Sequence, residues 1–280
     1  MLARLAFFIF LNLFAFTVLG QNLVLNYNIY AYQDVKAEDI KKVQTGLEFY
    51  NELLKQHCGL QLSSKIKVQT VQSNSPQFDF DGSWVQKAIS SAETYFFRFF
   101  QMAAFKEVSQ HKLTQQKNEV SFILTRSLTS HCGFAFPKIQ FNDAEALAKN
   151  TNLSSRASVE PLIQNRILFA APSENGADCA NSNRMVSHEL SHILIQDEKP
   201  HHCLNTQTNN YERCHEENIL ATQRTIYPNP RGQRGLNPGL GNGDNGSYDP
   251  FEPQYVNAIG TDISEDQCQS IINTIQELQN

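Results

Sequence analysis

The chain has 280 residues, of which 41% are hydrophobic and 18% charged, and a formal net charge of −5 at pH 7. This length and apolar content suit one globular domain with a substantial core. The chain has 23 basic residues against 28 acidic ones, and no cluster of Lys and Arg marks a nucleic-acid-binding surface. We therefore expect a soluble, mildly acidic, monomeric protein that binds no nucleic acid.

The N-terminus has the pattern of a secretory signal peptide. Arg4 supplies a positive charge, and an apolar run follows it at residues 5–19. We predict a signal peptide at residues 1–20, cleavage before Gln21, and a secreted or periplasmic protein. The alternative is an uncleaved membrane anchor, but the run is shorter than the roughly 20 residues of a spanning helix. After cleavage we expect no contact with a membrane.

The first half of the chain alternates between the periodicities of strands and helices. In chain order, we predict a strand at 23–32, a helix at 36–57 ended by Gly59, a strand at 60–71 and a helix from Trp84 to about Glu107. The last of these helices contains an aromatic cluster at 95–100. We assign that cluster to the core rather than to a substrate-binding wall, because aromatic side chains mostly lie in cores.

The second half continues the alternation and then becomes irregular. We predict strands at 119–125, 133–136 and 166–171, a helix at 183–197, and a last helix opened by the capping box Ser264–Gln267. Residues 227–253 are rich in Pro, Gly and Asn, which indicates a long loop. We expect a catalytic domain at 21–226, and at 227–280 an irregular loop and a helix that pack on the same domain.

All six cysteines follow the predicted cleavage site. An even number of cysteines in an exported protein indicates disulfides. Zinc binding by cysteines is the alternative, but no C-x-x-C spacing occurs in the chain. We predict three disulfides, Cys58–Cys268, Cys132–Cys179 and Cys203–Cys214.

The main chemical signal lies in the helix predicted at 183–197, where residues 188–192 form an H-E-x-x-H motif. His188 and His192 are four residues apart, so both imidazoles point from one side of a helix and can bind one Zn²⁺ ion. Glu189 stands beside them, where a general base takes a proton from water. Five of the eight histidines fall between positions 188 and 215, which favours a zinc site over a surface helix with two incidental histidines.

Catalytic zinc takes three protein ligands and leaves a fourth position open. Pro200 is expected to end the helix, and His201 and His202 then follow in a turn that can bring one of them back to the metal. We choose His202 as the third ligand, with His201 as the alternative. Glu212 is a weaker alternative, because a glutamate from the next helix binds zinc in proteins similar to thermolysin, and residues 209–217 lack the apolar periodicity of such a helix.

Residues 119–222 resemble the catalytic core of a zincin of the metzincin-like kind. The resemblance rests on the edge-strand segment at 133–136, the strand at 166–171, the H-E-x-x-H helix and a loop histidine after it. Residues 217–221 are also similar to the turn that follows the third histidine in many exported bacterial metalloproteases. The implied fold is α+β, a zincin-like mixed sheet packed against long helices, one of which carries the H-E-x-x-H motif.

The sequence departs from the metzincin signature at three positions. Ile195 stands where that signature has a glycine, and Glu198 stands where it has the third histidine. Leu220 replaces the methionine of the turn. The third ligand is therefore expected later in the chain than in metzincins.

Together, the motif and the resemblance imply a secreted zinc metalloendopeptidase with Glu189 as the general base. A peptide or protein substrate would lie extended along the strand at 133–136, and Tyr211 or Tyr227 would support the oxyanion. Two other functions stay open. One is a catalytically inactive zincin-like binding module, which the intact Glu189 argues against. The other is a zinc amidohydrolase that acts on a non-peptide amide.

Overall fold

The structure is a computed structural model, and not all of the chain is described in it. The described residues are 23–78, 92–128, 132–138, 162–173, 182–196, 202–205, 208, 210–221, 223–226, 254–257 and 260–280, some of them by their backbone alone. The predicted signal peptide lies outside these residues, as do Trp84 and His201.

Thirteen helices and strands lie in the described residues. In chain order, they are β1 (Asn26–Tyr32), α1 (Ala37–Cys58), β2 (Ile66–Val71), α2 (Ala92–His111), β3 (Glu119–Thr125), β4 (Gly133–Phe136), β5 (Arg166–Ala170), α3 (Ser182–Ile195), β6 (His202–Asn205), β7 (Asn210–Arg213), β8 (Gln223–Ile226), β9 (Gln254–Asn257) and α4 (Glu265–Gln279). Every predicted element with described residues is present, and β6 to β9 are additional.

Some predicted boundaries differ from those in the structure. The strand predicted at 60–71 begins only at Ile66, because Ser63 makes no more than an isolated bridge to Val24. The helix that carries the H-E-x-x-H motif ends at Ile195, where the next residue, Gln196, has a φ of 58° that an α-helix does not accommodate.

The main sheet has five strands in the order β2-β1-β3-β5-β4. The first four are parallel, and β4 pairs antiparallel with β5 at the edge. All residues of β3 and β5 are buried, as expected for central strands that are covered on both faces. The protein therefore has a mixed α/β fold with a mostly parallel sheet.

The helices α1, α3 and α4 pack against one another. Val186, Leu190, Ile193 and Leu194, the face of α3 that we predicted to be buried, have no exposed surface. The α1–α3 contact is close, since a Cβ placed on Gly46 would lie 2.7 Å from Cβ of Val186. The core therefore surrounds α3 and holds its position.

The edge strand β4 lies between α2 and α3. Phe134 packs on Phe100 of α2 with ring centroids 5.1 Å apart, whereas its neighbour Gly133 faces Glu189 of α3. Successive residues of a strand point to opposite faces, so the two helices lie on opposite sides of β4. This arrangement places the H-E-x-x-H helix next to an edge of the sheet.

Two of the three predicted disulfides, Cys58–Cys268 and Cys203–Cys214, are confirmed. Cys132 is also disulfide-bonded, and its predicted partner, Cys179, lies outside the described residues. Disulfides are typical of proteins from oxidising compartments outside the cytoplasm. Among the described helices, none has the length and hydropathy needed to cross a membrane.

Candidate metal centre

The two histidines of the motif face each other across one turn of α3. Nε2 of His188 and Nε2 of His192 are 3.1 Å apart, and both side chains are buried. Nitrogens that bind one tetrahedral zinc ion at about 2.0–2.1 Å lie roughly 3.3 Å from each other. The two nitrogens are therefore close enough to share one zinc ion, and at the same distance Nε2 of His192 can donate a hydrogen bond to Nε2 of His188.

The backbone selects the tautomer of His188. Its Nδ1 lies 2.7 Å from the carbonyl oxygen of Ile219. A carbonyl oxygen only accepts hydrogen bonds, so Nδ1 must carry the proton and donate it. The lone pair of the neutral ring is then on Nε2, the atom that faces His192. A hydrogen bond of this kind orients histidine ligands in metal sites.

The Ile219 carbonyl belongs to a turn at 218–221, in the segment that is similar to the metzincin turn. The Ala221 amide donates to the Asn218 carbonyl at 2.9 Å, and the Leu220 amide donates to Asn218 Oδ1 at 3.0 Å. Leu220, which stands in the place of the metzincin methionine, is buried. The turn therefore has a defined shape directly beside His188.

The C-terminal segment braces this turn from its other side. The Ile219 amide donates to the Asp262 carbonyl at 2.8 Å, and the amides of Thr261 and Asp262 donate to the Glu217 carbonyl at 2.9 and 2.8 Å. A Cβ on Gly260 would overlap the backbone of Glu217 and Asn218. Only glycine allows the two backbones to approach this closely.

Glu189 lies against the edge strand. A Cβ on Gly133 would be 2.6 Å from Cγ and 3.0 Å from Oε1 of Glu189, so the side chain fills the space that a larger residue would occupy. Glu189 is buried, with 7% of its surface exposed. The role of Gly133 was not predicted, although a glycine inside a strand often marks a close approach.

Two of the third-ligand candidates, His202 and Glu212, lie in the β6–β7 hairpin. His202 is the first residue of β6, where the backbone alone is described, and His201 lies outside the described residues. Glu212 is on β7 rather than on a helix; its side chain is exposed and accepts a hydrogen bond from Thr208 Oγ1 at 3.4 Å. Among the described side chains, no group of three His, Cys, Asp or Glu residues could hold a metal ion.

Tyr50 contacts the motif helix between the two histidines. Ser191, between the two histidines, has Oγ 3.4 Å from the hydroxyl of Tyr50. Burial raises the pKa of Tyr50 well above its ordinary value, so this phenol stays neutral and serves as packing. Tyr211, one of the tyrosines predicted to support an oxyanion, is half-buried on β7, and Tyr227 lies outside the described residues.

No protein-family model matches the chain, and no curated protein matches it in sequence. The site is therefore characterised by its geometry alone. It consists of a buried histidine pair in which the tautomer of His188 is fixed, a glutamate that lies against an edge strand, and a turn that the C-terminal segment braces.

Proposed function

We propose that the protein is a secreted zinc metalloendopeptidase with a zincin-like, metzincin-like fold. The observation that carries the proposal is the 3.1 Å separation of the two Nε2 atoms, with Nδ1 of His188 bonded to the Ile219 carbonyl. His188 and His192 would hold Zn²⁺ together with a third ligand, His202, for which His201 is the alternative. The antiparallel edge strand beside the motif helix and the turn beside His188 support the fold assignment.

A bound zinc ion would act as a Lewis acid towards the scissile carbonyl and would lower the pKa of its water towards 7. Glu189 takes the proton of the attacking water and later passes it to the leaving amine. Its side chain lies against Gly133 and is largely shielded from bulk solvent. The hydrogen bond to Ile219 keeps the Nε2 lone pair of His188 available for the metal.

An extended peptide can bind along β4. The Ala170 amide donates to the Cys132 carbonyl, so Cys132 and then Phe134 direct their backbone groups towards β5. Gly133 and Ala135 consequently direct theirs away from the sheet. Within the described part of the chain, β4 has β5 as its single strand neighbour. A substrate that adds a strand here would pass Gly133, which faces Glu189.

Secretion is supported by two independent features. The N-terminal sequence has the charge and apolar run of a signal peptide. Disulfides at Cys58–Cys268 and Cys203–Cys214 join distant and nearby parts of the chain, as expected for a protein that matures in an oxidising compartment.

The test is the variant Glu189→Ala, assayed for bound zinc and for cleavage of a peptide library. Zinc should be retained at wild-type stoichiometry, and hydrolysis should fall about 10²- to 10⁴-fold, the usual contribution of a general base. Glu52→Ala is the matched control, because this carboxylate is exposed on α1 and its loss should change neither readout.

Three results would overturn the proposal. One is full activity of Glu189→Ala, and another is a wild-type protein that binds no zinc. The third is a zinc-loaded wild-type protein that cleaves no peptide. In that case cleavage of small amides would identify an amidohydrolase, and complete inactivity would identify a zincin-like binding module.

A further inference from the structure

Two buried amide side chains meet next to the turn that holds His188. Nδ2 of Asn218 donates to Oε1 of Gln267 at 2.8 Å, and Nε2 of Gln267 donates to Oδ1 of Asn218 at 3.2 Å. Asn218 is 9% exposed and Gln267 7%. We call this the amide pair, and its members come from the site turn and from the first turn of α4.

Each amide of the pair also bonds to the backbone of its own segment. Oδ1 of Asn218 accepts from the Leu220 amide at 3.0 Å, which shapes the turn around Ile219. Oε1 of Gln267 accepts from the Ser264 amide at 3.0 Å, as half of the capping box that starts α4. The amide pair therefore links the conformation of the turn to a helix terminus.

The hairpin disulfide touches the same pair. Sγ of Cys203 lies 3.6 Å from Nε2 of Gln267 and 3.5 Å from Oδ1 of Asn218. Because Cys203 is oxidised, its sulfur has no hydrogen to donate and acts as a weak acceptor for Gln267. Cys203 follows His202 directly, so the pair also contacts the segment that carries the proposed third ligand.

We infer that the amide pair is a positioning element that brings together two parts of the zinc site. Through Leu220 and the turn it sets the carbonyl of Ile219 that orients His188, and through Cys203 it holds the strand that begins at His202. This inference rests on the proposed function, and it assigns Asn218 and Gln267 an effect on zinc affinity without direct contact to the metal. Preorganised outer partners raise affinity because folding has already ordered the ligands.

The experiment compares three variants with the wild type in a competition assay between the protein and a chromophoric zinc chelator. Gln267→Leu removes both bonds of the pair and should weaken zinc binding by about 10- to 100-fold. Gln267→Glu keeps the acceptor for Asn218 and Ser264 and should recover part of that loss. Ser264→Ala removes the capping hydroxyl and leaves the pair, so it should lower stability and keep wild-type zinc affinity.

Peptide hydrolysis at saturating zinc gives a second readout. Gln267→Leu should lower kcat while KM stays near the wild-type value, because the inferred role of the pair is to orient His188 and not to bind substrate. If Gln267→Leu does not fold, Asn218→Asp replaces it. That variant keeps the Leu220 bond and loses the Nδ2 donor, and a several-fold weaker zinc affinity is expected.

Wild-type zinc affinity in a folded Gln267→Leu protein would overturn the inference. Equal losses in Gln267→Leu and Ser264→Ala would also overturn it, because the helix cap would then explain the effect. If the first variant does not fold, unchanged affinity in Asn218→Asp has the same meaning. In all of these cases the wild type still binds zinc and the proposed function stands. A wild type without zinc would overturn both.

Discussion

The two halves of the candidate site are held very differently. In the helix half, His188, Glu189 and His192 are all under 10% exposed and lie on a helix whose opposite face is fully buried. In the hairpin half, β6 and β7 are four residues each, and three of the four residues of β7 are exposed. Burial of its side chains thus fixes the helix half, which consists of His188, Glu189 and His192. The hairpin half, β6 and β7, is instead held by a disulfide and the amide pair. In the proposed zinc site, the two ligands on α3 and the general base would be preformed, and the third ligand would depend on a lightly anchored segment.

The largest expected effect comes from removing a ligand in each half. His188→Ala should lower zinc affinity by more than about 100-fold, beyond the upper end of what the loss of an outer partner costs. His202→Ala should also lower zinc content, but less, because the buried pair on α3 remains. Zinc content after dialysis against a chelator measures both.

His201→Ala is the control for the hairpin half, and it should keep wild-type zinc content. The reverse result, with zinc lost in His201→Ala and kept in His202→Ala, would assign the third ligand to His201. Equal zinc content in His188→Ala and the wild type would remove the distinction between the halves altogether.

The next largest effect is expected from moving the proposed general base, Glu189. Gly133→Ala places a Cβ 2.6 Å from Cγ of Glu189, so the carboxylate must move. Since a general base contributes about 10²- to 10⁴-fold, we expect kcat to fall by at least about 10-fold while zinc affinity is kept. Steady-state kinetics together with a zinc titration separate the two quantities.

Gly46→Ala is the matched control, because it adds the same methyl group at an equally close contact, 2.7 Å from Cβ of Val186. That contact lies between α1 and α3, so it should lower the free energy of unfolding by about 1–3 kcal/mol, the usual cost of overpacking. The kcat of the folded fraction should change little. A similar loss of kcat in both variants would mean that Gly133 acts through general packing.

The sequence predicted most of the helix half because its signals are local. The apolar face of α3, the strands β3 and β4 and the capping box at Ser264 all follow from residues next to one another, and the structure shows them where they were expected. The short strands β6 to β9 were not predicted: they are as short as β4, but their residues are mostly polar and lack the apolar, aromatic character of residues 133–136.

Contacts between residues far apart in the chain could not be predicted from sequence patterns either. Asn218 and Gln267 are 49 positions apart, and each is an ordinary polar residue in its own segment. Gly133 and Glu189 are likewise brought together only when β4 pairs with β5 beside α3. The resemblance to the metzincin turn pointed to residues 217–221. The contact between Asn218 and Gln267, however, could be identified only from the tertiary structure.

A last comparison distinguishes the disulfide of the hairpin half from the one that supports the core. Cys203–Cys214 closes a loop with a sequence separation of 11, and Cys58–Cys268 one of 210. In the loop-entropy model the first stabilises the folded state by about 3 kcal/mol and the second by about 5 kcal/mol. Replacing both cysteines of a pair by serine should therefore destabilise the zinc-free protein more for Cys58–Cys268. Denaturant unfolding without zinc measures this, because bound metal would add its own stabilisation.

Zinc affinity should show the opposite order for the two disulfides. Loss of Cys203–Cys214 frees the hairpin and removes the sulfur that contacts Gln267, so zinc binding should weaken several-fold. Loss of Cys58–Cys268 leaves α4 packed through the buried residues Ile271 and Ile275, so zinc binding should change less. If both readouts instead follow the loop length, the hairpin contributes to the site only through overall stability, and the third ligand should be sought outside it.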